Sequence, residues 1–207
     1  EHICLVARDN GAKLIVLGMP GFNSPEYGLI GRTTEGVFKD APCPVLAVPG
    51  DQEDVARTPS TGEARLIRNI LAPLDFSSPS LDAVEFAVHL AQGVGAALTL
   101  MHVLEPACHD LDFGLGMIEQ ETSKRAYWNR QLMELREVIT GFGVAADLEI
   151  SGGLPSDAIL ACALRHHADL IVMGTHGRRG VTSERFGSVA EAVLCRATCP
   201  VVTVKTP

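Results

Sequence analysis

Apolar positions along residues 66–207 alternate between two periods. Short apolar runs rich in β-branched residues and flanked by turn formers predict strands at "RNILAPLD" (68–75), "AALTLMHVLEP" (96–106), "AADLEISGG" (145–153), "ADLIVMG" (168–174) and "CPVVTVK" (199–205). Between them, amphipathic spacing predicts helices over 77–95, 118–143, 154–167 and 188–197. Ser77 or Ser78 is the expected cap of the first helix, with Gly93 or Gly95 at its stop, and Pro155 suits the first turn of the third. Strands separated by helices imply a parallel sheet with right-handed crossovers, a doubly wound α/β domain of five strands. In such sheets ligands bind beyond the carboxyl ends of the strands.

The start of the chain departs from this order. "EHICLVARDNG" has the spacing of a helix interior, with Ile3, Val6 and Ala7 on one face. An internal repeat explains it, since residues 1–48 align on 157–204 without a gap, residue 12 falling on 168 and residue 41 on 197. "AKLIVLGMPG" matches "ADLIVMGTHG", and "APCPVLAV" matches "ATCPVVTV". Gly18, Gly21 and Gly31 land on Gly174, Gly177 and Gly187, and Glu35 and Val37 on Glu191 and Val193. Between the copies, residues 50–65 are polar and rich in turn formers, a linker. The expected organisation is the final third of one domain at 1–49, the linker, and a complete domain at 66–207. The first copy is expected to lack its front part, through truncation or as an engineered fragment.

Composition narrows the function classes. The chain of 207 residues is 46% hydrophobic with a formal net charge of -8, which disfavours sequence-independent nucleic-acid binding. No run of eighteen apolar residues occurs, so no membrane span is expected. The six cysteines lack CxxC pairing, and Cys43 and Cys199 each precede a Pro and an apolar run. They predict buried thiols in a reducing compartment, the cytoplasm. Cys195 and Cys199 with His166, His167 and His176 do not have zinc-site spacing.

The candidate chemistry lies in "GTHGRRGVTSERFGSVAE" (174–191). Gly174, Gly177 and Gly187 let backbone N–H groups approach a ligand, and the helix beginning near Ser188 offers unpaired donors suited to phosphate. Arg178, Arg179 and Arg185 lie nearby in sequence. The same glycines also fit a tight strand-to-helix turn with Ser188 as a helix cap, and spacing leaves both readings open. Neither GxxxxGK[ST] nor GxGxxG occurs.

The pattern G-x2-G-x9-G-[ST], following "IVMG" and leading into "SVAEAVL", resembles the ATP-binding signature of the universal stress protein family. "NILAPLDFSSPS", "LTLMHV" and "CPVVTV" extend the likeness over 66–207, and residues 1–48 resemble the last third of a second such domain. The resemblance implies an adenine nucleotide alpha hydrolase-like fold and a regulatory, stress-response protein that binds ATP, with or without Mg²⁺. Carried over, Pro73 and Asp75 would meet the adenine or ribose, and Val103 the adenine edge through its backbone. Met173, Gly174, Thr175, Gly177, Arg178, Gly187, Ser188 and Val189 would surround the ribose and phosphates. Asp75 fits a helix-capping carboxylate equally well.

In the first copy Arg32 stands where Ser188 stands and the adenine-floor strand is lacking, so no nucleotide site of ordinary affinity is expected there. The resemblance implies pairing of final strands, 43–49 with 199–205, as an intrachain pseudo-dimer or between chains of a homo-oligomer. No carboxylate is evident near Ser188 to orient water, which disfavours efficient catalysis. The alternatives are a slow ATPase or phosphoryl-transfer protein, with His176 as base or phosphoacceptor, and a dimerising stress protein without nucleotide. His102 reads as a structural histidine, and Tyr127 and Trp128 as core packing with a solvated face.

Overall fold

A computed structural model of the protein describes residues 2–20, 30–50, 66–105, 115–177 and 186–205, the stretch 115–121 through its backbone alone. The linker, except Gly50, and Arg178 lie outside these residues.

Thirteen elements are described. The first copy contributes α1 (His2–Asp9), β1 (Ile15–Met19), α2 (Arg32–Asp40) and β2 (Val45–Pro49). The second contributes β3 (Asn69–Pro73), α3 (Ser78–Val94), β4 (Ala97–Leu104), α4 (Leu115–Gly141), β5 (Ala146–Gly152), α5 (Pro155–Arg165), β6 (Leu170–Gly174), α6 (Ser188–Arg196) and β7 (Val201–Val204). Every predicted strand and helix of the second copy is present. Helix α3 starts after an N-cap at Ser77 and stops at Gly95, whose φ of 71° is a left-handed conformation that glycine adopts without Cβ strain.

All seven strands form one sheet, in the order β1-β2-β7-β6-β3-β4-β5. Neighbours run parallel throughout, except where β2 meets β7 antiparallel. The expected five-stranded sheet is thus extended by two strands of the first copy. At the antiparallel seam Leu46 lies opposite Val202, the two residues that the repeat makes equivalent, so the copies meet about a local two-fold. This is the expected pairing of final strands, here within one chain.

Helices cover both faces. A core beneath α3 and α4 gathers Ile70, Ala72, Leu98, Leu100, Leu132, Leu170 and Val172. The opposite face carries α1, α2, α5 and α6 over Leu71, Met101, Ile171, Met173 and Val201. The period-2 alternation of each central strand therefore feeds two cores, as a doubly wound sheet requires. Phe38 of α2 stacks on Phe186 at 5.2 Å between centroids, tying the two copies together across the seam.

Candidate functional site

Within the second copy the order β7-β6-β3-β4-β5 reverses direction between β3 and β6. That reversal opens a crevice at the carboxyl ends of the two strands. Two loops frame it: 74–77 after β3 and 175–177 after β6.

Asp75 organises the first loop. Its Oδ1 accepts hydrogen bonds from the Ser77 N–H at 3.0 Å and the Ser77 hydroxyl at 2.5 Å. Its own N–H donates to Ser80 Oγ at 3.3 Å, and that hydroxyl donates to the Ser77 carbonyl. Ser77, not Asp75, occupies the N-cap of α3, with its side chain spent on Asp75. The carboxylate is thereby fixed in orientation. Phe76 follows with φ 63°, a left-handed backbone at a bulky residue that costs of order 1–3 kcal/mol. This twist lays the Phe76 ring on Trp128 of α4 (5.0 Å) and near His102 (5.6 Å), while His102 and Trp128 meet at 4.5 Å.

His102 is buried, and its Nδ1 lies 2.9 Å from the Leu74 carbonyl. The structural reading of His102 and the packing reading of Trp128 both hold. What sequence reasoning missed is that the two meet Phe76 and brace the loop carrying Asp75. The aromatic after Asp75 gave no signal, because only its backbone conformation reveals the role.

The glycines divide by function. A Cβ on Gly174 would stand 2.9 Å from the Pro79 carbonyl carbon and oxygen and 3.1 Å from the Ser80 nitrogen. A Cβ on Gly187 would stand 2.8 Å from the Thr175 carbonyl oxygen, which accepts the Gly187 N–H at 3.0 Å. Both are required by the protein's own packing. Gly177 is exposed and faces Asp75, whose Oδ2 lies 2.8 Å from the position its Cβ would take. It is the glycine that lets the loop after β6 close on the carboxylate.

Thr175 is buried; its N–H donates to the Val204 carbonyl, and its hydroxyl lies 2.9 Å from His176 Nδ1. Met173 belongs to the core under α5 and α6, and Pro73 is buried at the last paired position of β3.

Helix α6 begins at Ser188 with Gly187 as its N-cap, extended at φ −67° and ψ 133°, and among the described residues no side chain caps it. The alternative of Ser188 as an ordinary cap is excluded, because Gly187, held to Thr175, sets the boundary one residue earlier. The first-turn N–H groups of Ser188, Val189 and Ala190 have no acceptor within the helix. Ser188 is exposed at this end.

Val103 completes the arrangement. Odd residues of β4 bond toward β3, as the Met101 carbonyl accepts the Leu74 N–H, and even residues toward β5, as the Leu104 carbonyl accepts the Gly153 N–H. Val103 is odd and lies two residues past the last β3 pair, Pro73 with Met101. Its backbone therefore points to the side that β3 has vacated. An open groove of about 500 Å³ between α4 and β5 is a separate feature. Its polar groups serve the protein, Arg125 donating to the Ile150 carbonyl and Glu149 pairing with Arg165 at 2.7 Å. Among the described residues no three metal-ligating side chains converge, and no helix is long and apolar enough to cross a membrane.

A doubly wound sheet with its loops gathered at the strand-order reversal defines an α/β protein of the adenine nucleotide alpha hydrolase-like class. The family model of the universal stress protein family matches residues 1–49 and 66–205, and the chain belongs to that family. A universal stress protein of Methanocaldococcus jannaschii is 31% identical over 149 residues, 69% of this chain and 84% of that one. One of Mycolicibacterium smegmatis is 28% identical over 201 residues, 97% of this chain and 64% of that one. This chain therefore spans about two thirds of the length of that relative. The crystal structure of a universal stress protein from Archaeoglobus fulgidus superposes with TM-score 0.72 at 26% identity, over 99% of this chain and 65% of that one. A universal stress protein solved in complex with cAMP shares the fold, with TM-score 0.53 at 24% identity over 69% of this chain and all of that one.

Proposed function

We propose that the 66–205 domain binds ATP in the crevice between β3 and β6 and acts as a nucleotide-dependent regulatory module. The observation that carries this reading is the convergence at one strand-order reversal of three groups with different chemistry. Val103 offers backbone donor and acceptor to a base edge, Asp75 a fixed carboxylate to ribose hydroxyls, and α6, to phosphate, an N-terminus that no described side chain caps. Donor, acceptor and anion site in that order match a nucleotide end to end. The cAMP complex belongs to a protein of this fold and carries the same base. ATP is preferred because G-x2-G-x9-G-[ST] is intact in 174–188 and Arg178 follows Gly177. Residues 1–49 bear Arg32 at the first position of α2 in place of Ser188 and form no second site of ordinary affinity.

ATP bound here would bring its own phosphate charge, with or without Mg²⁺; Ser188, Val189 and Arg178 would hold that charge and Asp75 the sugar. Hydrolysis is not favoured, since Asp75 is committed to the nucleoside end. Mass spectrometry of nucleotide released on denaturing the purified protein tests the reading. One ATP per chain, lost in a Gly177→Val, Ser188→Ala variant, is expected. ADP as the retained species would favour a slow ATPase, and an empty wild-type protein that also gives no heat with added ATP would overturn the proposal.

A further inference from the structure

The two-fold at Leu46 and Val202 relates the copies, so each contact across the seam has a related place with the copies exchanged. Two contacts run from consecutive residues in the last turn of α2 to the second copy. The buried Phe38 ring stacks on Phe186 with centroids 5.2 Å apart and planes inclined by 26°. Beside it, the Lys39 carbonyl accepts a hydrogen bond from Lys205 Nζ at 2.8 Å. That carbonyl is one of the four that a helix leaves unpaired at its C-terminus, where a cation is also favoured.

The related places cannot make either contact. The residues 156 positions from Phe38 and Phe186 are Leu194 and Ile30, which carry no ring. Lys205 is matched by Pro49, whose side chain has no donor to offer the Cys195 carbonyl. Both contacts therefore run one way, from the first copy to the copy that keeps G-x2-G-x9-G-[ST].

Their endpoints converge on one residue of the candidate site. Phe186 immediately precedes Gly187, whose N–H donates to the Thr175 carbonyl at 3.0 Å. Lys205 immediately follows Val204, whose carbonyl accepts the Thr175 N–H at 3.1 Å. Both backbone groups of Thr175 are thus bound to segments that α2 holds from across the seam. Thr175 in turn fixes Gly187 as the N-cap of α6 and starts the loop that brings Gly177 to Asp75.

We infer that the first copy is a working part of the site. Through Phe38 on Phe186 and Lys39 on Lys205, the last turn of α2 positions Thr175 and the phosphate-facing start of α6. Phe38 is a positioning residue, acting through Phe186 and Gly187. The effect on affinity rests on the reading that ATP binds here, whereas the effect on the backbone does not. A stacked aromatic pair is worth about a two- to tenfold change in an equilibrium constant beyond its buried area, which sets the size of the effect.

Phe38→Leu, which gives α2 the residue that α6 carries at Leu194, tests this beside Ile15→Val, a change in the first copy's core on β1. Without nucleotide, amide hydrogen exchange at Thr175 and Gly187 is expected to quicken about two- to tenfold in Phe38→Leu and to keep its wild-type rate in Ile15→Val. In calorimetric titration ATP should bind about two- to tenfold more weakly to Phe38→Leu and with wild-type affinity to Ile15→Val. Unchanged exchange at both amides in Phe38→Leu, or equal quickening in Ile15→Val, would overturn the inference. So would wild-type ATP affinity in a Phe38→Leu protein whose Thr175 and Gly187 amides exchange faster. A wild-type protein that takes up no ATP would refute the ATP reading instead, and the exchange comparison would still decide this inference.

Discussion

Gly174 and Gly18 occupy the same place in the two copies, and their replacement by alanine separates packing from ligand chemistry. At Gly174 the new Cβ meets three backbone atoms of the α3 start at 2.9, 2.9 and 3.1 Å, where ordinary contact begins near 3.4 Å. The Pro79–Ser80 turn would have to retreat by about half an ångström, and it is held by the Ser80 hydroxyl to Ser77 and by Asp75. Overpacking of this kind costs about 1–3 kcal/mol. At Gly18 the Cβ meets nothing, and the loss of unfolded-state freedom stabilises by about 0.4–1 kcal/mol. The two variants should differ by about 1.4–4 kcal/mol, which in a chain of this size is roughly 3–16 °C in melting temperature. Circular dichroism melts at equal protein concentration read this directly. Gly174→Ala should melt lowest and Gly18→Ala at or slightly above wild type. Equal melting of the two would refute the assignment of Gly174 to helix packing.

Three further outcomes follow from the geometry. A double-mutant cycle with Phe76→Ala and Trp128→Ala, read by urea unfolding, should give a coupling of about 0.5–1.5 kcal/mol from their stacked rings; additivity would remove the brace on the Asp75 loop. Asp169 Oδ2 accepts the Arg68 and Asn69 N–H groups at 2.9 and 3.0 Å, so Asp169→Ala should cost about 1.5–3 kcal/mol in the same assay. Burial, with the Glu149 charge beside it, pushes the Cys162 thiol above its ordinary pKa against the opposing pull of Arg165. The folded thiol stays protonated after the unfolded one has ionised, so stability should fall as pH rises through the alkaline range. Cys162→Ala should flatten that fall, and an unchanged slope would assign it elsewhere.

The fold was legible because its signals are local and repeated. Apolar runs such as "ADLIVMG" are continuous where a strand is buried on both faces, and Gly95 marked the end of α3 by the conformation it alone adopts easily. The repeat offset brought the two final strands into view as equivalents, and they meet at Leu46 and Val202. At the candidate site the positions of the glycines were legible, and what each of them touches was not. Gly174 and Gly187 answer to Pro79 and Thr175, contacts made across the fold that spacing along the chain does not carry. Ser188 sits one place inside α6 because a hydrogen bond from Gly187 to Thr175 fixes the boundary. Phe76 escaped notice because a positive φ at a bulky residue has no sequence signature.

The central claim, that the α6 N-terminus holds the phosphates of ATP, is tested most directly by calorimetric titration of Ser188→Pro beside wild type. Proline suits the first position of a helix, and the extended Gly187 before it is compatible, so α6 and the melting temperature should be preserved. The substitution removes one backbone N–H and one hydroxyl from the phosphate end. Loss of a hydrogen bond to a charged group is worth about 1.5–3 kcal/mol, so ATP should bind about ten- to a hundredfold more weakly. Unchanged ATP affinity in a variant that melts as wild type does would contradict the account.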